Sequence, residues 1–151
     1  HRAHASTVGV SKYLPAVAGF LLEKEADIIG KAIEKPKKPM VAIIGGAKAE
    51  TKITLIDRLL EKADTLIVGG GVANTFLKAF GYEVGNSLVD DEMVELAKKL
   101  FWKASRSQTR MLLPTDVVLG DIEKNIHSGV VLSEKMPKGM QALDIGPRTQ
   151  A

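Results

Sequence analysis

Two successive segments with the order strand, glycine turn and helix constrain the fold of this chain more than any other feature. Met40 to Ile44 is a short apolar run without polar alternation, and Gly45-Gly46 follows it directly. Apolar residues then recur at helical spacing between positions 53 and 63. The same order returns between positions 66 and 79, around Gly69-Gly70-Gly71. Apolar strands alternating with helices predict an α/β fold, with a doubly wound parallel sheet in a Rossmann-like, three-layer α/β/α arrangement.

Two longer helices flank these units. The spacing of apolar residues predicts a helix from Ala16 to Glu34, which the Pro36-Lys-Lys-Pro39 run ends. A second helix is predicted from Asp90 to Ala104, where Ser87-x-x-Asp90 has the pattern of a capping box. Beyond that helix the apolar runs that suggest strands are 111–113, 117–119, 129–132 and 142–145, with a polar stretch from Asp121 to Ser128.

The first glycine turn has the composition of a phosphate site. Glycine after a parallel strand lets the backbone approach a phosphate, and the next helix offers free amides and a positive dipole end. Lys48 and Lys52 are four residues apart, so in a helix that begins near Lys48 both ammonium groups project from one face. The plainer alternative is that the glycines only make the turn and the lysines are solvated.

The second turn, Gly69-Gly70-Gly71, could place a base or a ribose against the backbone. It does not form a dinucleotide fingerprint, because Asn74 stands where the third glycine is required. The Gly-Lys-Ser/Thr ending of a P-loop is also absent from the sequence.

A few other residues could carry chemistry. His1, Arg2 and His4 form a basic cluster that could hold an anion, although residues near a terminus are often frayed. His127 is expected on the surface. Three scattered acids, Asp116, Asp121 and Asp144, follow or end apolar runs without defining a metal site.

Composition excludes several classes of function. The sequence contains no cysteine, so we expect neither disulfides nor a cysteine nucleophile. No apolar run approaches the roughly 20 residues of a membrane span. The net charge of +3 comes from 21 basic and 18 acidic residues that are interspersed, so nucleic acid is not an expected partner.

Several motifs in order resemble one family, phosphoglycerate kinase. They are Pro39-Met-Val-Ala-Ile-Ile-Gly-Gly-Ala-Lys48, Ile67-Val-Gly-Gly-Gly-Val-Ala-Asn-Thr-Phe-Leu-Lys78, Gly85-Asn-Ser-Leu88, Leu113-Pro-Thr-Asp-Val-Val118 and Leu143-Asp-Ile-Gly-Pro147. The segments His1–Ser6 and Ala18–Glu25 resemble the end of that family's N-terminal domain and its interdomain helix. The resemblance extends over nearly the whole chain.

This resemblance implies phosphoryl transfer between 1,3-bisphosphoglycerate and ADP, which yields 3-phosphoglycerate and ATP in glycolysis, with magnesium held through the nucleotide. It makes Lys48 and Lys52 the catalytic lysines and His1 and Arg2 part of the 3-phosphoglycerate site. The nucleotide site that it implies comprises Gly45, Gly46, Ala47, Lys48, Lys52, Gly69, Gly70 and Gly71. It also implies a cytoplasmic, monomeric parent enzyme without a protein-held metal.

The resemblance divides the chain into three parts. Residues 1–15 are expected to be a remnant of the N-terminal substrate domain, 16–35 the interdomain helix, and 36–151 part of the nucleotide-binding domain. Thr51 stands where many relatives carry an acid, and the family's later Gly-Gly-Gly-Asp-Thr loop has no counterpart here. We therefore expect a fragment that lacks turnover by itself and self-associates through uncovered apolar surfaces. The alternatives are a non-catalytic nucleotide-binding or scaffold module and, less well matched, a dinucleotide-dependent oxidoreductase.

Overall fold

The structure is a computed structural model that describes residues 3–121 and 126–151. The chain divides into two compact units, residues 1–36 and residues 37–151. In the described part of the chain, no helix is long and apolar enough to cross a membrane.

The first unit contains one long helix, α1, which runs from Phe20 to Glu34. A π-helical turn, Ala5–Gly9, and a 3₁₀ turn, Val10–Lys12, precede it. The predicted start at Ala16 is wrong by four residues, because Gly19 takes an extended conformation at the N-cap, where glycine is well tolerated. No residue of α1 is buried. The roles expected for 1–15 and 16–35 stay predictions.

The second unit is built on a parallel sheet of three strands, β1 Val41–Ile44, β2 Thr65–Val68 and β3 Arg110–Leu112, in the order β1-β2-β3. The connecting helices are α2 Glu50–Leu59, α3 Gly70–Ala79 and α4 Val94–Ser105. Strands, turns and helices thus follow the predicted order, and the α/β fold with a parallel sheet is confirmed.

The core of this unit lies between the sheet and its helices. Ile56 of α2, Leu66 of β2 and Phe76 of α3 are fully buried, and Leu100 of α4 packs in the same cluster. The other face of the sheet is open at β1, where Val41 is 56% and Ile43 is 74% exposed. Within residues 37–121 and 126–151, helices therefore cover only one face of the β1 strand.

Three further strands form a separate antiparallel sheet, which the sequence did not indicate. They are β4 Asp116–Asp121, β5 Ile126–Leu132 and β6 Gln141–Ile145, in the order β5-β4-β6. The polar stretch expected from Asp121 to Ser128 enters this sheet at both ends, and residues 122–125 lie outside the described residues. Leu77 of α3 joins the small core of this sheet.

A short helix, α5 Pro147–Gln150, is fixed to β4 by a buried carboxylate. Asp116 is 2% exposed. The amides of Arg148 and Thr149 donate to its two oxygens at 3.0 and 2.8 Å, and the Thr149 hydroxyl donates to Oδ1 at 2.6 Å. Asp116 therefore binds the start of α5 and is a structural residue.

The segment 85–90 contacts α2 and α3 on one side and the antiparallel sheet on the other. The predicted capping box at Ser87 is wrong: α4 begins at Val94, after a 3₁₀ turn at Asp91–Met93. The Ser87 hydroxyl instead accepts the amide of Ala142, at the start of β6, at 2.9 Å. The sequence pattern fitted a cap, but tertiary contacts with the second sheet determine where this side chain binds.

Candidate functional site

The two glycine turns meet at the carboxyl edge of the parallel sheet. Ile44 and Val68, the last residues of β1 and β2, are paired in register, so the turns that follow them lie side by side. Ligands of open α/β sheets bind at this edge, outside the carboxyl ends of the strands. The sequence-predicted nucleotide residues between 45 and 52 and between 69 and 71 are thus brought together.

The backbones of the two turns are in direct contact. The amide of Val72 donates to the carbonyl of Gly46 at 3.1 Å, and the amide of Gly69 donates to the carbonyl of Ile44 at 2.8 Å. A Cβ atom on Gly70 would lie 3.3 Å from the nitrogen and from the oxygen of Gly46.

Backbone conformation adds a second requirement for glycine. Gly46 has a φ of 135° and Gly70 a φ of 63°, both in the region that favours glycine. Glycine at these positions is thus explained by the contact between the turns, which makes them one structural unit. Approach of a ligand to the backbone is an additional use of the same geometry.

Lys48 and Lys52 present two cations beside this contact. Lys52 lies in the first turn of α2, and its Cε atom is 3.8 Å from the position of a Cβ on Gly46. Lys48 is exposed and lies two residues before the helix, which begins at Glu50. In the described part of the chain neither ammonium group has an acidic partner within ion-pair distance. Two uncompensated positive charges suit an anionic ligand.

The sequence suggested free amides at the start of α2, but several of these amides already have acceptors. The amide of Glu50 donates to Asp90 Oδ2 at 3.0 Å. The amides of Lys52 and Ile53 both donate to the carbonyl of Ala49, at 2.8 and 2.9 Å. Sequence reasoning missed Asp90 here, because its pattern with Ser87 suggested a cap for the next helix.

The described residues form one wall of a site rather than an enclosed pocket. A cavity of about 80 Å³ lies beside Gly70 and Asn74, where residues from 114–117 and 142–145 complete its lining. Ligand pockets usually measure about 300–1,000 Å³. A wider groove of about 880 Å³ lies at the opposite edge of the sheet, near Lys38, Asp64 and Lys99. Two of its cations are already paired, Lys38 with Asp64 and Lys103 with Asp57 and Glu61.

The remaining candidates are the basic residues near position 1 and His127. His1 and Arg2 lie outside the described residues, so their assignment stays a prediction. His4 is exposed in the first unit, and His127 is exposed on β5, as expected for a surface histidine. In the part of the chain that the structure describes, no three His, Cys, Asp or Glu side chains are grouped to hold a metal ion.

Comparison with known proteins identifies the family of this chain. Residues 1–151 match the family described as phosphoglycerate kinase. The phosphoglycerate kinase of Moorella thermoacetica is 54% identical over 150 residues, which cover 99% of this chain and 38% of that protein. The phosphoglycerate kinase of Clostridium perfringens (strain 13 / Type A) is 51% identical over 152 residues, which cover all of this chain and 38% of that protein.

Two solved structures with a similar fold are also phosphoglycerate kinases. The structure of phosphoglycerate kinase from Coxiella burnetii matches with a TM-score of 0.82 at 43% identity, over 99% of this chain and 39% of that one. Phosphoglycerate kinase from Pyrococcus horikoshii OT3 matches with a TM-score of 0.76 at 26% identity, over 99% of this chain and 38% of that one. The chain thus spans little more than a third of the length of these relatives, and it belongs to the phosphoglycerate kinase family.

Proposed function

We propose that this chain supplies one wall of the nucleotide site of a phosphoglycerate kinase. The reaction is phosphoryl transfer between 1,3-bisphosphoglycerate and ADP, which gives 3-phosphoglycerate and ATP in glycolysis. The observation that supports it best is the pair of unpartnered lysines, Lys48 and Lys52, beside the joined glycine turns in the described part of the chain. Family membership over the whole chain supports the same reaction.

The proposed roles follow from charge and position. The ammonium groups of Lys48 and Lys52 attract the nucleotide phosphates and stabilise the negative charge that spreads over the transferring phosphoryl group. Gly45, Gly46 and Ala47 place backbone beside these phosphates. Gly69, Gly70 and Gly71 place backbone beside the adenosine of the nucleotide.

Magnesium is proposed to enter with the nucleotide. The two lysines are donors that fit phosphate oxygens, and they are not ligands for a divalent cation. When bound with the nucleotide, magnesium would neutralise part of the negative charge of the phosphates.

The proposal also covers the second substrate, the cellular compartment and the oligomeric state. His1 and Arg2 are proposed to contact 3-phosphoglycerate, whose carboxylate and phosphate match imidazole and guanidinium donors. Because both substrates are small water-soluble phosphorylated compounds, we place the protein in the cytoplasm. The longer enzyme is proposed to act as a monomer, without nucleic acid or a membrane as partner.

Calorimetric titration of the 151-residue chain with MgADP tests this proposal. Loss of a charge-assisted hydrogen bond costs about 1.5–3 kcal/mol, so Lys48→Ala and Lys52→Ala are each expected to weaken binding roughly tenfold to a hundredfold. Lys99→Ala is the matched control, because this exposed lysine of α4 lines the groove at the opposite edge of the sheet. Its affinity is expected to equal that of the wild type.

The alternatives predict different titrations. A chain that binds no MgADP is a scaffold module rather than part of a nucleotide site. A chain that binds a nicotinamide dinucleotide more tightly than MgADP is the oxidoreductase alternative. Equal losses of affinity in Lys99→Ala and Lys48→Ala would show binding by overall charge alone.

A further inference from the structure

We propose that Asp90 is a positioning residue of the nucleotide site: it holds the start of α2, and with it Lys48 and Lys52, against the glycine turns. This proposal rests on the proposed function, because it concerns the same site. Asp90 itself lies in the segment 85–90, far along the chain from the residues that it positions.

Asp90 caps α2 from outside the helix. The amide of Glu50, the first residue of α2, donates to Asp90 Oδ2 at 3.0 Å across 40 residues of sequence. Ala49, at the N-cap position, has no side-chain acceptor. The first amides of a helix lack partners within it, so an acceptor from another segment fixes where the helix begins in space. The carboxylate also lies at the positive end of the helix dipole.

Asp90 is in turn bound to α3. Its amide donates to the hydroxyl of Thr75 at 3.1 Å, and that hydroxyl donates to the carbonyl of Gly71 at 2.9 Å. Thr75 is fully buried. Since Gly71 packs on the backbone of Ala47, Asp90 provides a second connection between the starts of α2 and α3.

The other end of the segment is anchored to the antiparallel sheet. The amide of Asn86 donates to the carbonyl of Met140 at 2.8 Å, and the Ser87 hydroxyl accepts the amide of Ala142 at 2.9 Å. Gly85, with a φ of 54°, packs directly on the carbonyl of Met140. The position of Asp90 is therefore fixed by α3, through Thr75, and by the antiparallel sheet, through residues 85–87.

Positioning and simple electrostatics predict opposite effects for this residue. A carboxylate beside a phosphate site repels the nucleotide, so removal of its charge alone would tighten binding. Removal of a group that positions α2 would weaken binding, because the two lysines would no longer be held against the turns.

MgADP titration of single variants separates these effects. Asp90→Ala is expected to weaken binding about tenfold, since small misplacements of binding groups have large effects. Asp90→Asn is expected to stay within about threefold of the wild type, because an amide oxygen still caps the helix. Asp90→Glu keeps the charge but moves the carboxylate by one methylene, and it is expected to weaken binding several-fold. This last variant also serves if Asp90→Ala does not fold.

Asp91→Ala is the matched control. It removes the same charge one residue away and, among the residues that the structure describes, breaks only an exposed ion pair with Lys78, at 2.6 Å. Its affinity is expected to be that of the wild type, and urea unfolding establishes that each variant is folded at the titration temperature.

The outcomes separate this proposal from the proposed function. Unchanged or tighter binding by Asp90→Ala and Asp90→Glu, in a wild type that binds MgADP through Lys48, overturns the role of Asp90 alone. A wild-type chain that binds no MgADP overturns the nucleotide site and the role of Asp90 in it. Weaker binding by both variants, with Asp90→Asn and Asp91→Ala near the wild type, supports the positioning role.

Discussion

Gly71 lies so close to Ala47 that a Cβ atom at position 71 would be 2.6 Å from the Ala47 carbonyl oxygen. Real side chains do not approach a backbone atom so closely, and neither partner is a flexible group. The start of α3 therefore packs directly on the carbonyl group of Ala47. This contact makes the glycine pattern of the second turn a requirement of packing between two turns.

Gly71→Ala is predicted to destabilise the chain. Alanine is a better helix former than glycine by about 1 kcal/mol, but overpacking typically costs about 1–3 kcal/mol and here the obstacle is backbone. Because the backbone cannot move aside as a side chain would, we place the cost of overpacking at the upper end of this range, so the free energy of unfolding, measured in urea, should fall by about 2 kcal/mol. We also expect weaker MgADP binding, because α2 and α3 must move apart.

Gly69→Ser is the control for this substitution. Gly69 has a φ of −132° and occupies the N-cap of α3, and the space that its Cβ would enter is open to a distance of 4 Å. Serine is favoured at an N-cap, so the free energy of unfolding of this variant should match or exceed that of the wild type. Equal stability of Gly71→Ala and the wild type would contradict the packing argument.

Local features of this fold could be predicted from the sequence. Two patterns depend only on neighbouring residues: the apolar runs before Gly45 and Gly69, and the helical spacing after them. Both predicted segments with the order strand, turn and helix are present in the structure. Where elements begin was less predictable, because α1 and α2 start at Phe20 and Glu50 through conformations that periodicity does not specify.

Contacts between distant residues could not be predicted. Asp90 accepts the amide of Glu50 across 40 residues, and Asp116 accepts that of Thr149 across 33. The motif Ser87-x-x-Asp90 fits a local cap equally well, and only the folded chain shows that both side chains bind elsewhere. Likewise, the runs at 117–119, 129–132 and 142–145 indicated strands but carried no sign of a separate antiparallel sheet.

The buried carboxylate of Asp116 predicts loss of stability in acid. Burial raises the pKa of Asp116, but hydrogen bonds from the Thr149 hydroxyl and from the amides of Arg148 and Thr149 outweigh it, and the net pKa lies below the ordinary 3.8. A folded-state pKa below that of the unfolded chain stabilises the protein above the unfolded value. This contribution is lost as the pH falls through the folded value.

Urea unfolding between about pH 5 and pH 2.5 measures this effect. Asp116→Asn is expected to be less stable than the wild type at neutral pH and to lose less stability on acidification. Asp64, whose pKa is lowered by the Met40 amide and the Lys38 ammonium, titrates in both proteins and cancels in the comparison. A wild-type slope in Asp116→Asn would contradict the assignment.

The open face of β1 predicts self-association of the chain. Ile43 is 74% exposed beside Val41 on an edge strand, and exposed apolar strands at a sheet edge pair with other copies. Sedimentation velocity should show a larger average mass as concentration rises, and Ile43→Lys should reduce it. Leu96→Lys, at an exposed position of α4, should leave association unchanged. Equal association of Ile43→Lys and the wild type would rule out this surface.

We predict that the 151 residues by themselves lack turnover. They span 38% of the Moorella thermoacetica relative, and phosphoryl transfer requires both substrates to be held in register. A coupled assay with 1,3-bisphosphoglycerate and MgADP should show no ATP formation above background, with the full-length relative as positive control. Rates comparable to that control would contradict the prediction.

Amide chemical-shift mapping by NMR with MgADP tests most directly whether the joined glycine turns form the nucleotide site. We predict that the largest saturable shifts fall in residues 45–52 and 69–71, and that Lys48→Ala reduces them at equal ligand concentration. Shifts confined to the groove near Lys38 and Lys99, or the absence of saturable shifts, would contradict a nucleotide site at the glycine turns.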